Sequence, residues 1–255
     1  MFQVSGARHT RGARACPHGR PDPGDTLVPV PHTFDDLVRR ARALPQGGRR
    51  AVLGIAGSPG AGKSTLAERL VRALNGPGEP WVAYVPMDGF HLADAELERL
   101  GLRDRKGAPA TFDAAGYAAL LARLREEEHA GDVVYAPGFE RVLEQPLAGA
   151  IPVPPTARLV VTEGNYLLLD TGAWARVRPL LDEVWFCELP EPERVRRLVA
   201  RHERFGKTPE EARAWVARSD QPNAELVAAT RGRADVVVRT DVVGRADEVV
   251  RTDRA

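Results

Sequence analysis

The chain has 255 residues, 43% of them hydrophobic and 28% charged, and its 36 Lys and Arg residues nearly balance its 35 Asp and Glu residues. This composition is typical of a globular protein that buries its own core. The near balance of charge disfavours a dedicated nucleic-acid-binding protein, which normally has a basic excess. No run of about 18 apolar residues is present, so a membrane span is excluded. Two cysteines, Cys16 and Cys187, predict unpaired thiols and a cytoplasmic location.

The two ends of the chain differ in composition from its middle. Residues 1–32 are rich in Gly, Pro, Arg and His and have no apolar periodicity, which predicts a disordered leader. The sequence GRADVVVRTD at 232–241 recurs as GRADEVVRTD at 244–253. We interpret the first copy as the last core strand and 241–255 as a tail. The main domain is therefore expected over residues 33–240.

Strand and helix patterns alternate through this domain. Apolar segments predict strands at 51–56, 81–85, 133–135, 158–162, 183–188 and 234–238. Helices are expected at 34–44, 63–74, 93–100, 114–129, 173–181, 191–205, 209–218 and 224–230. This order predicts an α/β fold with a mostly parallel sheet between two helical layers.

A glycine-rich loop follows the first strand. The sequence GSPGAGKS at 57–64 matches the phosphate-binding loop pattern G-x-x-x-x-G-K-[ST], between a predicted strand and a predicted helix. Glycines there allow backbone N–H groups to point into one cavity, and the helix N-terminus favours an anion. Lys63 is expected to reach the β- and γ-phosphates and Ser64 to bind Mg²⁺. The candidate nucleotide-binding residues are Gly57, Ser58, Pro59, Gly60, Ala61, Gly62, Lys63, Ser64 and Thr65. No N-K-x-D segment for guanine is present, which favours ATP.

Two carboxylates follow apolar strands. Asp88 comes after the second strand, and Glu163 directly follows the strand at 158–162. Ligands of open α/β sheets bind beyond the carboxyl ends of the strands, so Asp88 is expected near the phosphate loop if the second strand neighbours the first. Asp88 can then accept the proton of an acceptor hydroxyl, orient that hydroxyl or help to hold Mg²⁺, and Glu163 is a candidate Mg²⁺ ligand through water. The alternative is that Asp88 and Gly89 only make a turn.

The order of five motifs resembles a known superfamily. The phosphate loop is followed by MDGFH at 87–91, KGAPATFD at 106–113, PGFER at 137–141 and EGNYLLL at 163–169. In this combination the chain is similar to the uridine kinase, phosphoribulokinase and bacterial pantothenate kinase superfamily, from about residue 50 to 238. The resemblance implies the P-loop NTPase fold with a helical lid, and ATP-dependent phosphorylation of a hydroxyl on a small molecule.

The resemblance also implies site residues. Asp88 occupies the position of the catalytic base, and Asp113 the position that holds ribose hydroxyls in uridine kinases. Tyr135 and Arg141 fall in the acceptor-binding segment. Further candidates for substrate contact within the motifs are His91, Glu163 and Asn165.

The nature of the acceptor stays open at this point. ERVLEQP at 140–146 stands where uridine kinases have a histidine, and the insertions of pantothenate kinase are missing. Nucleoside-like and sugar-like acceptors both fit. A P-loop ATPase or regulatory switch without a small-molecule acceptor is the alternative. The expected partner is a small molecule, with no nucleic acid or membrane, and homodimers are common in the superfamily.

The arginine-rich segment at about 191–208, which contains the helix expected at 191–205, corresponds to the lid of that superfamily. Arg197, Arg201 and Arg204 are spaced to share one helix face. Arginine donors stabilise the charge of a transferring phosphoryl group, so Arg201 and Arg204 are candidate catalytic residues. The alternative is a solvated charged face. In the segment after this helix, Asn223 is expected to cap the next helix, and the alternative is that it lies near the adenine.

Overall fold

The computed structural model describes residues 32–45, 49–78, 80–126 and 131–243. Nearly all of the predicted leader, and the second copy of the repeat, lie outside these described residues. So do residues 127–130 at the end of the predicted 114–129 helix.

The strands and helices follow the predicted alternation. The strands are β1 (Ala51–Gly57), β2 (Val82–Tyr84), β3 (Val134–Glu140), β4 (Gln145–Val153), β5 (Leu159–Gly164), β6 (Glu183–Glu188) and β7 (Val236–Arg239). The α-helices are α1 (Phe34–Arg42), α2 (Lys63–Asn75), α3 (Asp94–Arg99), α4 (Ala114–Arg125), α5 (Glu191–Arg204), α6 (Pro209–Trp215) and α7 (Gln221–Ala228).

Five strands form one parallel sheet in the order β2-β5-β1-β6-β7. All seven residues of β1 are buried. Alternate residues of a strand face opposite sides of its sheet. Thus Val52 belongs to the apolar core that includes α4, whereas Leu53 belongs to the core that includes α1 and α2. Helices on both faces of a mostly parallel sheet confirm the three-layer α/β prediction.

The structure differs from the sequence prediction at several elements. The 173–181 segment forms two short 3₁₀ turns instead of one α-helix, and Pro179 lacks an amide donor for a continuous helix. The 209–218 helix ends at Trp215 and continues as a π turn over 216–220. Asn223 lies inside α7, so it is not the cap of that helix.

The largest addition is an antiparallel hairpin of β3 and β4 outside the main sheet. Only the first residues of β3 were expected as a strand, and β4 was missed. Pro146, Gly149 and Pro152 lie within β4, and such residues normally weaken a strand pattern.

Packed residues also continue past the expected boundary at 240. Val243 is buried in the core beside α1 and α2. Across the described ranges, none of the helices is both long enough and apolar enough to cross a membrane.

Candidate active site

The loop between β1 and α2 has the backbone conformation expected for a phosphate-binding loop. Gly57, Gly60 and Gly62 have φ angles of 147°, 79° and 89°, which favour glycine. A Cβ on Gly57 would lie 2.6 Å from the carbonyl oxygen of Cys187, so a larger residue does not fit there. These glycines let the loop turn tightly against β6.

Neighbouring elements hold this loop from behind. The Thr240 hydroxyl, just after β7, donates to the carbonyl oxygen of Ala61 at 2.8 Å. The Ser58 hydroxyl donates to the carbonyl oxygen of Ala224 in α7 at 3.1 Å. The loop shape is thus set by tertiary contacts as well as by its glycines.

Lys63 is the first residue of α2 and is only 7% exposed. Its ammonium donates to the Ser58 carbonyl oxygen at 3.2 Å and to Asn165 Oδ1 at 2.7 Å. Burial lowers the pKa of Lys63, against the opposite effect of the Glu163 charge. An anion next to this ammonium would relieve the cost of burying it.

Glu163 ends β5 beside the loop and is also buried. Its Oε1 accepts hydrogen bonds from the Ser64 hydroxyl at 2.9 Å and from the Tyr84 hydroxyl at 3.1 Å. Burial raises the pKa of Glu163, and the nearby Asp88 charge acts in the same direction. Sequence reasoning missed Tyr84, although its place near the carboxyl end of a predicted strand was an available signal.

This pair of oxygen donors fits Mg²⁺. The buried carboxylate of Glu163 lies next to the Ser64 hydroxyl at the start of α2. Within the described ranges, no group of three or more His, Cys, Asp or Glu side chains could hold a metal ion. Mg²⁺ needs no such group, because it commonly takes one or two protein ligands and completes its shell with phosphate oxygens and water.

Asp88 lies in a 3₁₀ turn, Met87–Phe90, after β2. The condition that β2 neighbours β1 is not met, because β5 lies between them. Strands are about 4.8 Å apart, so one intervening strand still leaves Asp88 within reach of the loop. A guanidinium nitrogen of Arg141, from the hairpin turn, lies 3.5 Å from the Asp88 carboxylate.

His91 is fixed beside Asp88. Its ring packs between Phe112 and Phe139, with ring centroids 4.0 and 4.8 Å away. Nδ1 lies 2.8 Å from the Asp88 carbonyl oxygen. Burial lowers the pKa of His91, which favours the neutral imidazole.

Most of the candidate residues line one cleft of about 920 Å³. They are Pro59, Gly60, Gly62, Lys63, Ser64, Thr65, Asp88, His91, Arg141, Glu163, Asn165, Arg201 and Arg204. Gly57, Ser58 and Ala61 are not part of this lining. Phosphate-loop residues, two carboxylates and arginines from α5 therefore share one enclosure, which is large enough for two small substrates.

Asp113 and Tyr135 do not line the cleft. Asp113 caps α4, where its carboxylate accepts the Gly116 amide at 2.8 Å. Tyr135 is 59% exposed on β3. The structure therefore gives Asp113 a capping role, and the substrate role implied for either residue has no support from its position.

Other lining residues were not singled out beforehand, including Arg103, Glu144 and Trp215. Lys106 also lines the cleft and links two elements, because its ammonium donates to Asp94 at 2.7 Å and to the backbone oxygen of Glu144 in the hairpin turn. The Asp94 carboxylate also forms an ion pair with the Arg103 guanidinium at 2.8 Å. The hairpin turn contains Arg141, and these contacts hold that turn against α3.

The fold and this cleft define a P-loop nucleotide-binding enzyme of the kinase type. The chain is 33% identical over 219 residues to the Schizosaccharomyces pombe protein named "Putative uridine kinase C227.14", covering 83% of this chain and 92% of that protein. It is 32% identical over 234 residues to "Pantothenate kinase" of Leifsonia xyli, covering 82% and 70%. The chain belongs to the uridine kinase and pantothenate kinase superfamily of P-loop phosphotransferases.

Two further comparisons bear on this assignment, and the first supports it. The structure titled "putative fructose transport system kinase" from Silicibacter sp. TM1040 has a TM-score of 0.73 and 36% identity, and the match covers 81% of this chain and 98% of that one. The family described as "Methylmalonyl Co-A mutase-associated GTPase MeaB" matches residues 32–89, less than a quarter of the chain. That match contains the phosphate loop, which ATP- and GTP-dependent enzymes share.

Proposed function

We propose that the protein transfers the γ-phosphoryl group of Mg²⁺-bound ATP to a hydroxyl group of a small nucleoside-like or sugar-like metabolite. The observation that carries this proposal is that Asp88 shares one cleft with Lys63 and Ser64 of the phosphate loop. The Asp88 carboxylate is not part of the phosphate loop and lies in a turn after β2. It is suited to accept the proton of an attacking hydroxyl.

Each group then has a role that follows from its contacts. Lys63 leaves Asn165 and the Ser58 carbonyl to contact the phosphates, where its compact charge offsets theirs. Ser64 and Glu163 would hold Mg²⁺, which neutralises developing charge when bound. Tyr84 orients Glu163 through its hydroxyl.

Acceptor binding is assigned to the side of the cleft that carries Asp88. His91 and Arg141 lie next to that carboxylate, and Phe112 and Phe139 form an aromatic wall around the imidazole. Aromatic faces and a few polar groups suit a sugar or nucleoside. Two of the relatives are named for uridine and for fructose transport, which supports this chemical class, whereas the relatives named pantothenate kinase point to an acceptor of neither type.

Helix α5 is proposed to be the lid. Arg197, Arg201 and Arg204 line the cleft from this helix. Closure would bring arginines toward the transferring group and exclude water, which otherwise competes as an acceptor.

The Asp88→Asn variant tests the role of Asp88 as the base for the acceptor hydroxyl. We expect the rate of acceptor phosphorylation to fall by about 10²–10⁴-fold, because general base catalysis is lost. The affinity for Mg²⁺–ATP should be kept, because Asp88 is not part of the phosphate loop. Steady-state kinetics and calorimetric titration measure the two quantities, and wild-type turnover by the variant would contradict the proposal.

An ADP-release assay over a panel of acceptors identifies the substrate. The panel should include nucleosides, free sugars, pantothenate and glycerate, each with Mg²⁺–ATP. Stimulation by one compound, lost in Asp88→Asn, is the expected result. ADP release that no metabolite stimulates would instead favour an ATPase or a nucleotide-dependent switch.

A further inference from the structure

Arg194 differs from the other arginines of α5 because it is buried. Only 4% of it is exposed, whereas Arg196 exposes 71% of its side chain and pairs with Glu193. In the part of the chain that the structure describes, Arg194 forms no ion pair. A buried cation without an ionic partner is costly, so its retention needs a reason.

The contacts of Arg194 connect three elements. One guanidinium nitrogen donates to the carbonyl oxygen of Pro59 in the phosphate loop at 3.4 Å. Another donates to the side-chain oxygen of Gln221 in α7. The Gln221 amide nitrogen in turn donates to Glu191 at the start of α5, at 3.3 Å. The root of α5 is therefore attached to both the loop and α7.

Close packing reinforces this attachment. A Cβ on Gly60 would lie 2.8 Å from the Leu198 side chain and 3.1 Å from the Arg194 carbonyl oxygen. The phosphate loop and α5 thus touch without a spacer. A small shift of the loop must be accommodated by the helix, because closely packed interiors transmit displacement.

Arg194 also begins the arginine stripe of α5. Residues at i, i+3, i+7 and i+10 share a helix face, and Arg197, Arg201 and Arg204 stand at those spacings from Arg194. The first arginine contacts the phosphate loop and the later three line the cleft. One rigid helix face therefore runs from the loop to the groups expected to close over the substrates.

We propose that Arg194 is a positioning residue that transmits occupancy of the phosphate loop to the lid helix, an inference that rests on the lid role assigned to α5 under the proposed function. Negative charge arriving at the loop compensates the buried guanidinium and strengthens its bonds to Pro59 and Gln221. The lid arginines are then held in the closed arrangement. Without Arg194, nucleotide still binds but no longer orders α5.

Limited trypsin digestion reads this coupling directly, because Arg201 and Arg204 are themselves cleavage sites. Cleavage follows the population of the open lid when opening and closing are fast. In the wild-type protein, Mg²⁺ with the β,γ-imido analogue of ATP should slow cleavage at these two bonds by about 5–50-fold, a typical coupling between sites. Mass spectrometry identifies the cleaved bonds, and no acceptor or turnover is needed.

The Arg194→Gln variant should bind the same analogue yet lose this protection. Calorimetry measures the affinity of the variant for the analogue. This affinity should fall by no more than the fold-loss of protection against trypsin, because nucleotide binding and lid closure are thermodynamically linked. The matched control Arg196→Gln removes an exposed arginine two residues away and should keep full protection. Gln221→Ala keeps Arg194 but removes its α7 partner, so partial loss is expected, and this variant also serves if Arg194→Gln does not fold.

The outcomes separate this inference from the proposed function. Wild-type protection in both Arg194→Gln and Gln221→Ala would overturn the positioning role alone. Complete loss of nucleotide binding in Arg194→Gln would also overturn it, since Arg194 would then be a binding residue. Absence of protection in the wild-type protein would overturn the lid role of α5 itself, whereas the acceptor assay tests phosphoryl transfer independently.

Discussion

Lys63 and Glu163 are buried opposite charges whose pKa values are both displaced toward the neutral forms by burial. Their hydrogen bonds, to Asn165 and from Ser64 and Tyr84, hold both side chains in place before any ligand arrives. Because these side chains are already positioned, they need not rearrange when negative charge develops during phosphoryl transfer. At the scale of single residues, the site is therefore built by burial combined with a few directed bonds.

Gly89 shows how tightly the acceptor side is packed. A Cβ there would lie 2.2 Å from the Pro137 carbonyl oxygen of β3. We expect Gly89→Ala to lower the free energy of unfolding by about 1–3 kcal/mol, because the turn and the hairpin must move apart. Urea unfolding measures this change, and acceptor phosphorylation should fall as well because Asp88 is adjacent.

The matched control is Gly232→Ala, at a glycine where an added Cβ meets no atom within 4 Å. This variant should leave stability and activity close to wild type. Equal stability of the two variants would show that the Gly89 contact is not a packing constraint.

The element scale explains how the cleft is assembled. The sequence patterns predicted β1, β5, β6 and α5 with boundaries within one or two residues, because their apolar and polar periodicities are strong. The β3–β4 hairpin was largely missed because its strands contain Pro and Gly. The hairpin turn nevertheless brings Arg141 to Asp88. The position of Arg141 on the acceptor side could therefore not be predicted from strand patterns.

Asp182 joins several elements at the opposite end of the sheet. Its carboxylate accepts the Val52 amide of β1 at 2.7 Å and the Arg125 guanidinium of α4 at 2.7 and 3.1 Å. Burial acts to raise the pKa of Asp182, but the bonds from Arg125 and Val52 outweigh it and lower the pKa below its ordinary value. We expect Asp182→Asn to cost about 1.5–3 kcal/mol near neutral pH, the range for hydrogen bonds to a charged group.

The sign of the pH dependence follows from this lowered pKa. The contribution of ionised Asp182 to stability is fully present above its unfolded-state pKa of about 3.9. It is lost as the pH falls through the lower pKa that Asp182 has in the folded state. Urea unfolding between pH 7 and pH 3 should show the difference between wild type and Asp182→Asn shrinking at acid pH. Asp104→Asn, at an exposed carboxylate, is the control, and a constant difference for Asp182→Asn would contradict the role of the charge.

For the whole molecule, nucleotide binding and folding are linked. The phosphate loop contacts β6, α5, α7 and the residue after β7, so a ligand there stabilises much of the described structure. Mg²⁺–ATP at 100 times its dissociation constant should add about 2.7 kcal/mol. For a protein of this size, that corresponds to a rise in Tm of about 5–11 °C.

Differential scanning fluorimetry measures this shift. Chelation of Mg²⁺ by EDTA should reduce it, Lys63→Met should abolish it, and Arg196→Gln should retain it. GTP at the same concentration should give a smaller shift, since the sequence has no guanine-binding segment of the N-K-x-D type. An equal or larger shift with GTP would contradict the assignment of ATP.

The sequence by itself determined the α/β class, the phosphate loop and the two carboxylates at strand ends. These features depend on local patterns, namely apolar strands, glycines that permit positive φ, and a lysine at a helix start. Its motif order also identified the superfamily. Local patterns carry such information because the backbone conformation of a segment depends largely on its own residues and their immediate neighbours.

Only the tertiary structure decided which strands are neighbours and which polar groups meet. It placed β5 between β2 and β1, gave Asp113 a capping bond, and buried Arg194 against Pro59. Strand order and burial arise from contacts between residues far apart in the chain, and an arginine-rich sequence does not show which arginine is covered. The physical reason is that a side chain loses water and gains its hydrogen-bond partners only when the sheet and the two helical layers have packed together.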